Sequence, residues 1–331
     1  MNLQARKDLL VRLGHFMQSE DASWQKAKQT ATAENAWFTP EFIELSITAI
    51  SKDYLSEERL QELIHKYDLK DDVLPKKVGL VTAGNIPLVG FHDLLCIFIT
   101  GHYAYLKLSS KDASLLKCII KKLTEWNDEA SSYFVISGLL KGCDAYIATG
   151  SNNSASYFEY YFSKYPHIIR KNRTSVAILT GNETDKELEA LADDVYLYFG
   201  LGCRNVTKLF VPEHYNFEHL LSIFKKYNYL SEHHKYKNNY DYNLAIHLLN
   251  HKYYMSNESI LLVEESSTFS PISQLNYEIY QDVENVRQSV QAHDDIQCIV
   301  GKNYTSFGAA QRPGICNFAD GIDTIQFLKD L

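Results

Sequence analysis

The chain has 331 residues, 45% hydrophobic and 22% charged, which suffices for two domains and a sizeable core. Its 33 basic and 41 acidic side chains leave a net charge of −8, so no basic face recommends nucleic acid as a partner. Six cysteines form no C-x-x-C pair, no Cys/His cluster has zinc spacing, and the longest apolar run, Leu94–Ile99, is too short to span a bilayer. The start, MNLQARKDLL, lacks an apolar signal core, so a cytoplasmic chain with reduced thiols and no transmembrane segment is expected.

Residues 1–72 read as helices. Leu9, Leu10, Leu13, Phe16 and Met17 recur at helical spacing, and similar stripes cover Glu41–Ile50 after Pro40 and Ser56–Tyr67. A break at Asp71–Lys77 contains Pro75. Strand–helix alternation follows: strand Val78–Thr82, a helix from Pro87 to Gly101, strand Tyr103–Leu108, and helix Lys111–Leu123. Tyr133–Ser137 and Ala145–Ala148 read as strands, Ser151–Phe162 as a helix, and Ser175–Leu179 as a strand. Thr184 with Glu187 is a capping-box pair for a helix running towards Phe199. Beyond it the order is strand Val206–Val211, helices within Phe217–Tyr227 and Tyr242–Leu249, and strands Ser259–Val263 and Ile272–Tyr280. Helix Val283–Ala292, strand Ile296–Val300 and a terminal helix Thr324–Leu331 complete it. His233–Asn239 (HHKYKNN) is polar, has no carboxylate or cysteine at metal spacing, and reads as a solvated loop. Short buried strands alternating with helices predict an α/β fold: a doubly wound, mostly parallel sheet, then a second α/β unit.

Chemistry concentrates in a few segments. Cys203 lies in YFGLGCRN between Gly200 and Gly202, so its backbone is bare and its thiol can sit at the mouth of a cleft. The same pattern also suits a small buried hydrophobe beside two turn glycines. The fingerprint GxGxxG is absent, which disfavours an ordinary Rossmann phosphate loop. Lys107 and Ser109, in LKLSS at a strand end, suit ribose hydroxyls or a phosphate; a strand-end lysine reaching solvent is the alternative. Gly150 and Ser151 open a helix whose N–H groups suit a pyrophosphate or nicotinamide, unless Ser151 is only an N-cap. Asn85, in TAGNIP after a strand, can donate to a developing oxyanion or cap the next helix.

The segments VGLVTAGNIPLVGFHDLL, GHYAYLKLSSKD, YIATGSNN, PHIIRKNRTSVAILTG, YFGLGCRNVTKLFVP and FADGIDTIQFL, in this order, resemble the LuxC-type acyl-coenzyme A reductases of the aldehyde dehydrogenase superfamily. The resemblance covers roughly Val78 to the C-terminus. It implies an aldehyde-dehydrogenase-like fold, with Cys203 as nucleophile and Asn85, of an N-(F/I)-P segment, as oxyanion donor. It further implies Lys107 at the adenosine ribose or its 2′-phosphate, Ser109 as the serine of the same cofactor-binding strand-end motif, and Gly150 and Ser151 at the cofactor helix. Two departures stand out. The superfamily's Glu-Leu-Gly-Gly base segment corresponds to Arg173–Gly181 (RTSVAILTG), which holds no carboxylate, so hydrolysis of a thioester is poorly supported. In Ser267–Pro271 (STFSP), Phe269 and Pro271 match the Glu-x-Phe-Gly-Pro segment, which implies Phe269 as a cofactor-binding residue, while its ribose-binding Glu is replaced or shifted to Glu264 or Glu265.

The resemblance implies a domain plan: a helical region 1–72, a nicotinamide cofactor-binding domain 73–182, a catalytic cysteine domain 183–300, and a C-terminal segment 301–331 returning to the body. It implies NADPH- or NADH-dependent reduction of an acyl-CoA, of fatty acyl type, to an aldehyde through an acyl-Cys203 intermediate. Coenzyme A enters as part of the substrate, no metal takes part, and a homo-oligomer or an acyl-delivering partner subunit is compatible. A cysteine acyltransferase without nicotinamide would keep Cys203 and Asn85 but bind no cofactor. A non-catalytic binding protein of the same fold would have an unreactive Cys203.

Overall fold

In the computed structural model, which describes residues 1–71 and 73–331, all strand pairs but one among the described residues are parallel. Asp72, inside the predicted break, lies outside the described residues. The chain divides into two units, residues 1–172 with 313–331, and residues 173–312.

In the first unit α1 (Leu3–Met17), α2 (Ala22–Glu34), α3 (Pro40–Asp53) and α4 (Glu57–Lys66) each open on a side-chain cap, from Asn2, Asp21, Thr39 and Ser56. Each cap satisfies a backbone N–H that has no partner inside its helix. Trp24, Phe38, Leu60 and Leu63 are fully buried between these helices and the rest of the unit. The sheet comprises β1 (Lys77–Val81), β2 (Tyr103–Lys107), β3 (Phe134–Ile136), β4 (Ala145–Thr149) and β5 (His167–Arg170). Its order is β3-β2-β1-β4-β5, all parallel. Helices α5 (Phe91–Ile99), α6 (Ser114–Trp126) and α7 (Asn152–Phe162) cover it. Alternation along β4 divides the core. Ile147 joins the cluster shared with α5 and α6, while Tyr146 and Ala148 face Phe158 and Phe162 of α7. Strand order reverses between β1 and β4, so their carboxyl ends flank a topological switch point.

The second unit contains β6 (Thr174–Ile178), α8 (Asp185–Tyr196), β7 (Val206–Pro212), α9 (Phe217–Phe224), α10 (His234–Leu249), β8 (Met255–Ser256), β9 (Leu261–Glu264), β10 (Gln274–Tyr280), α11 (Val283–Gln291) and β11 (Ile296–Gly301). The sheet order is β11-β6-β7-β10-β9-β8, parallel except for the β8–β9 pair. All five residues of β6 are buried, as a strand covered on both faces requires. The Thr184–Glu187 capping box forms at the start of α8. The last helix, α12 (Thr324–Lys329), packs back on the first unit, where Arg170 at the end of β5 bonds both Asp93 of α5 and Thr324.

The chain departs from the sequence expectations at several places. Pro87 sits in a turn, and α5 begins four residues later at Phe91, because Leu88 takes a left-handed φ of 59° that no helix accommodates. His233–Asn239 is no loop: α10 starts at His234 and buries Tyr236, Tyr240, Asn243 and His247 along one face. That stripe is hidden in the sequence because each member carries a polar tip. Tyr240 bonds Ser256, Asn243 donates to the Ile272 carbonyl, and His247 bonds Gln274. The boundary drawn at residue 182 also shifts. The strand beginning at Thr174 pairs with β7 and β11, so the second unit begins at Arg173. Residues 301–312 stay with that second unit, and 313–331 rejoin the first. Helix α2 and strand β5 were not individually expected.

Candidate active site

In the first unit, β1 and β2 end side by side, with Val81 opposite Lys107 in register. Lys107 is exposed there. The two following loops lock together: the Ser109 N–H donates to Thr82 Oγ1 at 3.1 Å, and the Thr82 N–H to the Lys107 carbonyl at 3.2 Å. Gly84 is required by this contact, since a Cβ there would come within 2.5 Å of the Ser109 hydroxyl. Asn85 follows, exposed, four residues beyond β1. Gly90, not Asn85, occupies the N-cap position of α5, so helix capping does not account for Asn85. Asp112, buried after β2, accepts the N–H groups of Leu88 and Val89 and so fixes the turn that carries Asn85. Burial pushes its carboxyl up to about 7, against those two bonds. At the end of β4, the Gly150 N–H donates to the Arg170 carbonyl at 3.2 Å. Ser151 is the N-cap of α7, accepting the Ser154 N–H at 3.3 Å. Lys107, Ser109, Gly150, Ser151 and Asn85 thus all lie at or just beyond the carboxyl edge of one parallel sheet.

In the second unit, Cys203 is half-buried on a turn between α8 and β7. Three consecutive residues before it are left-handed: Tyr198 (φ 55°), Phe199 (φ 57°) and Gly200 (φ 72°). Only glycine takes that conformation cheaply, and the two bulky aromatics cost on the order of 1–3 kcal/mol each. Packing holds them: both are buried, and Phe199 lies 4.5 Å from the His233 ring and 5.7 Å from Tyr236, centre to centre. The turn is pinned from two sides. Asn205, fully buried, accepts the Gly202 N–H at 2.8 Å and donates to the carbonyls of Asp194, Val195 and Leu197 at 2.9–3.3 Å. Ser175, on β6, donates its hydroxyl to the Cys203 carbonyl at 3.1 Å. The Cys298 sulfur lies 3.1 Å from the same hydroxyl with the Arg204 guanidinium beside it, and burial pushes its thiol up.

Phe269 sits on a loop whose carbonyls are taken up by sheet side chains. Lys208 donates to Ser266 at 2.6 Å, Thr207 to Thr268 at 2.6 Å, and Asn276 to Ser267 at 3.0 Å and Phe269 at 3.1 Å. Phe269 lines an open pocket of about 380 Å³ with Lys208, Ser267, Glu278 and His293. Of the candidates for the shifted carboxylate, Glu265 is paired with Lys252 at 2.5 Å and Glu264 is exposed at the end of β9.

Asn205, Ser175, Asp112 and Lys208 escaped the sequence reading. For Lys208 the signal was present: a lysine inside the apolar strand VTKLFV needs a partner by the same argument applied to Lys107. Asn205 stood beside the thiol, but a carboxamide's partners lie on other elements. Among the described residues no group of three or more His, Cys, Asp or Glu side chains could hold a metal, and no helix is long and apolar enough to cross a membrane.

No family model and no curated protein matches the sequence. Solved structures do match. Aldehyde dehydrogenase 21 from Physcomitrella patens, in complex with the reaction product succinate, has a TM-score of 0.70 at 12% identity, over 100% of this chain and 84% of that one. An indole-3-acetaldehyde dehydrogenase of P. syringae, in complex with NAD+, gives 0.65 at 12% identity, over 91% and 72%. The NAD+ complex of an aldehyde dehydrogenase from Bacillus cereus gives 0.65 at 14%, over 91% and 72%. The chain has the aldehyde dehydrogenase fold: a helical N-terminus, one parallel sheet and one mixed sheet.

Proposed function

We propose that this chain is an oxidoreductase of the aldehyde dehydrogenase type, and specifically that it reduces an acyl-CoA thioester to an aldehyde through an acyl-Cys203 intermediate. The fold and the NAD+-bound relatives support a nicotinamide cofactor and a catalytic cysteine. The observation that carries the finer reading is Ser175. Where the superfamily pattern places a water-activating carboxylate, this chain has the buried strand β6, and the β6 side chain touching the Cys203 turn is a hydroxyl bonded to the Cys203 carbonyl. Without a base there, an acyl-enzyme is protected from water and left for reduction.

The first unit's donor set fits the cofactor. An exposed ammonium (Lys107) and the Ser109 and Ser151 hydroxyls lie along one carboxyl edge beside the switch point, where ribose hydroxyls and phosphates are recognised in such sheets. A nicotinamide cofactor bound there would supply the hydride to the acyl carbonyl carbon. The chain's own residues do the rest. The Cys203 thiolate attacks the thioester carbon; its S–C bond forms as the CoA S–C bond breaks, and CoA departs as the thiol after taking a proton. The Cys203 backbone N–H would stabilise the oxyanion of both tetrahedral species, and Asn85 is the residue that the superfamily resemblance implies as a further oxyanion donor. After reduction the Cys203–carbon bond breaks, the sulfur recovers its electron pair, and the aldehyde leaves.

The test is NADPH oxidation with acyl-CoAs of graded chain length, aldehyde being detected directly, in the parent and in Cys203→Ala. Loss of both CoA release and NADPH oxidation in the variant is expected; residual turnover there sinks the scheme. CoA release without NADPH oxidation in the parent would instead identify an acyltransferase.

A further inference from the structure

We infer that Asn205 is a positioning residue for Cys203: its buried carboxamide holds the left-handed Tyr198–Gly200 turn and the Gly202 amide in the one arrangement that presents the thiol. The inference rests on the reading of Cys203 as nucleophile.

The carboxamide works with two arms. Its Nδ2 arm takes up the carbonyls of Asp194, Val195 and Leu197, at the end of α8 where backbone carbonyls run out of helical partners. Its Oδ1 arm accepts the N–H of Gly202, the residue directly before Cys203. A helix cap alone needs only the first arm. The second couples the end of α8 to the peptide beside the sulfur, across the three residues with positive φ. The Asn205 backbone closes the same turn, its N–H donating to the Gly202 carbonyl at 3.1 Å and its carbonyl accepting the Ser175 N–H at 3.1 Å. Ser175 Oγ then holds the Cys203 carbonyl from β6. Without the carboxamide, the left-handed residues lose the bonds at both ends of their turn and the thiol loses its fixed direction. An ångström of misplacement at a reacting atom can cost about 10²-fold in rate.

The test separates orientation of the thiol from its mere presence. Acyl-enzyme formation at Cys203 is followed by intact mass with an acyl-CoA and no cofactor, alongside alkylation by iodoacetamide, which needs an accessible thiol but no oriented one. In Asn205→Ala and Asn205→Asp, acylation is expected to fall about 10²-fold. Alkylation and NADPH affinity should stay within about threefold of the parent, giving a loss in kcat with KM for cofactor preserved. Parental acylation rates in a folded variant overturn the inference. So does a loss in which alkylation and NADPH binding fall together with acylation, since that marks a cap whose removal disturbs the whole unit. If neither Asn205 variant folds, Ser175→Ala is decisive: it removes the bond on the Cys203 carbonyl, and acylation should fall about tenfold, with parental rates overturning the inference. A parent that is alkylated but never acylated at Cys203 refutes the functional reading itself and takes the inference with it. Failure confined to the variants leaves that reading standing.

Discussion

Asp112 accepts the Leu88 N–H at 2.8 Å, so the turn that carries Asn85 hangs on a buried carboxyl group. Its other oxygen is buried without a partner, and burial lifts the group to about 7 from an ordinary value of 3.8. Because the folded value lies above the unfolded one, the stability this group contributes is complete below about 4 and is lost as pH rises towards 7. Each pH unit across that window costs about 1.4 kcal/mol. Asp112→Asn keeps an acceptor for Leu88 and cannot ionise. Urea unfolding at pH 4, 5.5 and 7 should show the variant gaining on the parent by roughly that slope. Parallel pH profiles for the two proteins would disprove it.

Asp93 and Arg170 form an ion pair inside the first unit, both nearly inaccessible, with Thr324 of α12 on the guanidinium's second arm. Removing one partner leaves a buried charge uncompensated, so Asp93→Ala should destabilise the protein by about 3–5 kcal/mol. Asp93→Leu combined with Arg170→Leu should recover most of that loss. Chemical denaturation decides; a cost below about 1 kcal/mol in the single variant contradicts the argument.

Lys208 is fully buried, with its ammonium on the Ser266 carbonyl and on Glu278 at 2.5 Å. Lys208→Met keeps the bulk, frees one end of the loop bearing Phe269, and leaves the half-exposed Glu278 to water. If Phe269 contacts the cofactor, as the superfamily resemblance implies, NADPH binding should weaken about tenfold while acylation of Cys203 without cofactor holds. Unchanged affinity would separate this loop from cofactor recognition.

Lys107 is exposed at the end of β2, so Lys107→Ala should leave stability within about 0.5 kcal/mol. The proposed contact to ribose or phosphate predicts a fall of tenfold or more in NADPH affinity, read by fluorescence titration. Normal affinity in that variant removes the role.

Much of the architecture was legible because burial leaves a periodic trace. Val176–Leu179, apolar on both faces, and Val206–Val211, apolar apart from Thr207 and Lys208, fold as central parallel strands. The Thr184–Glu187 box marks the start of α8 through chemistry local to one turn. Where the buried face is made of Tyr, Asn and His, as in α10, the trace vanishes, because these residues count as polar until their partners are known. The break between the units was misplaced for a related reason. Nothing local in TSVAI says which sheet it joins; that is decided by β7 and β11, one of which lies more than a hundred residues away.

The sequence by itself determined the α/β class, most of the order of the elements, and the placing of Lys107, Ser109, Gly150, Ser151 and Asn85 at or just beyond strand ends, since each follows from local pattern. It also set Cys203 apart through its flanking glycines. Only the tertiary structure decided what holds these residues in place: Asp112 under the Asn85 turn, Lys208 and Asn276 on the Phe269 loop, and Asn205 and Ser175 around Cys203. Those bonds join elements remote in sequence, or depend on left-handed backbone at Tyr198 and Phe199 that aromatic residues do not announce. A hydrogen-bond partner is a property of the folded chain, and a single residue's letter does not carry it.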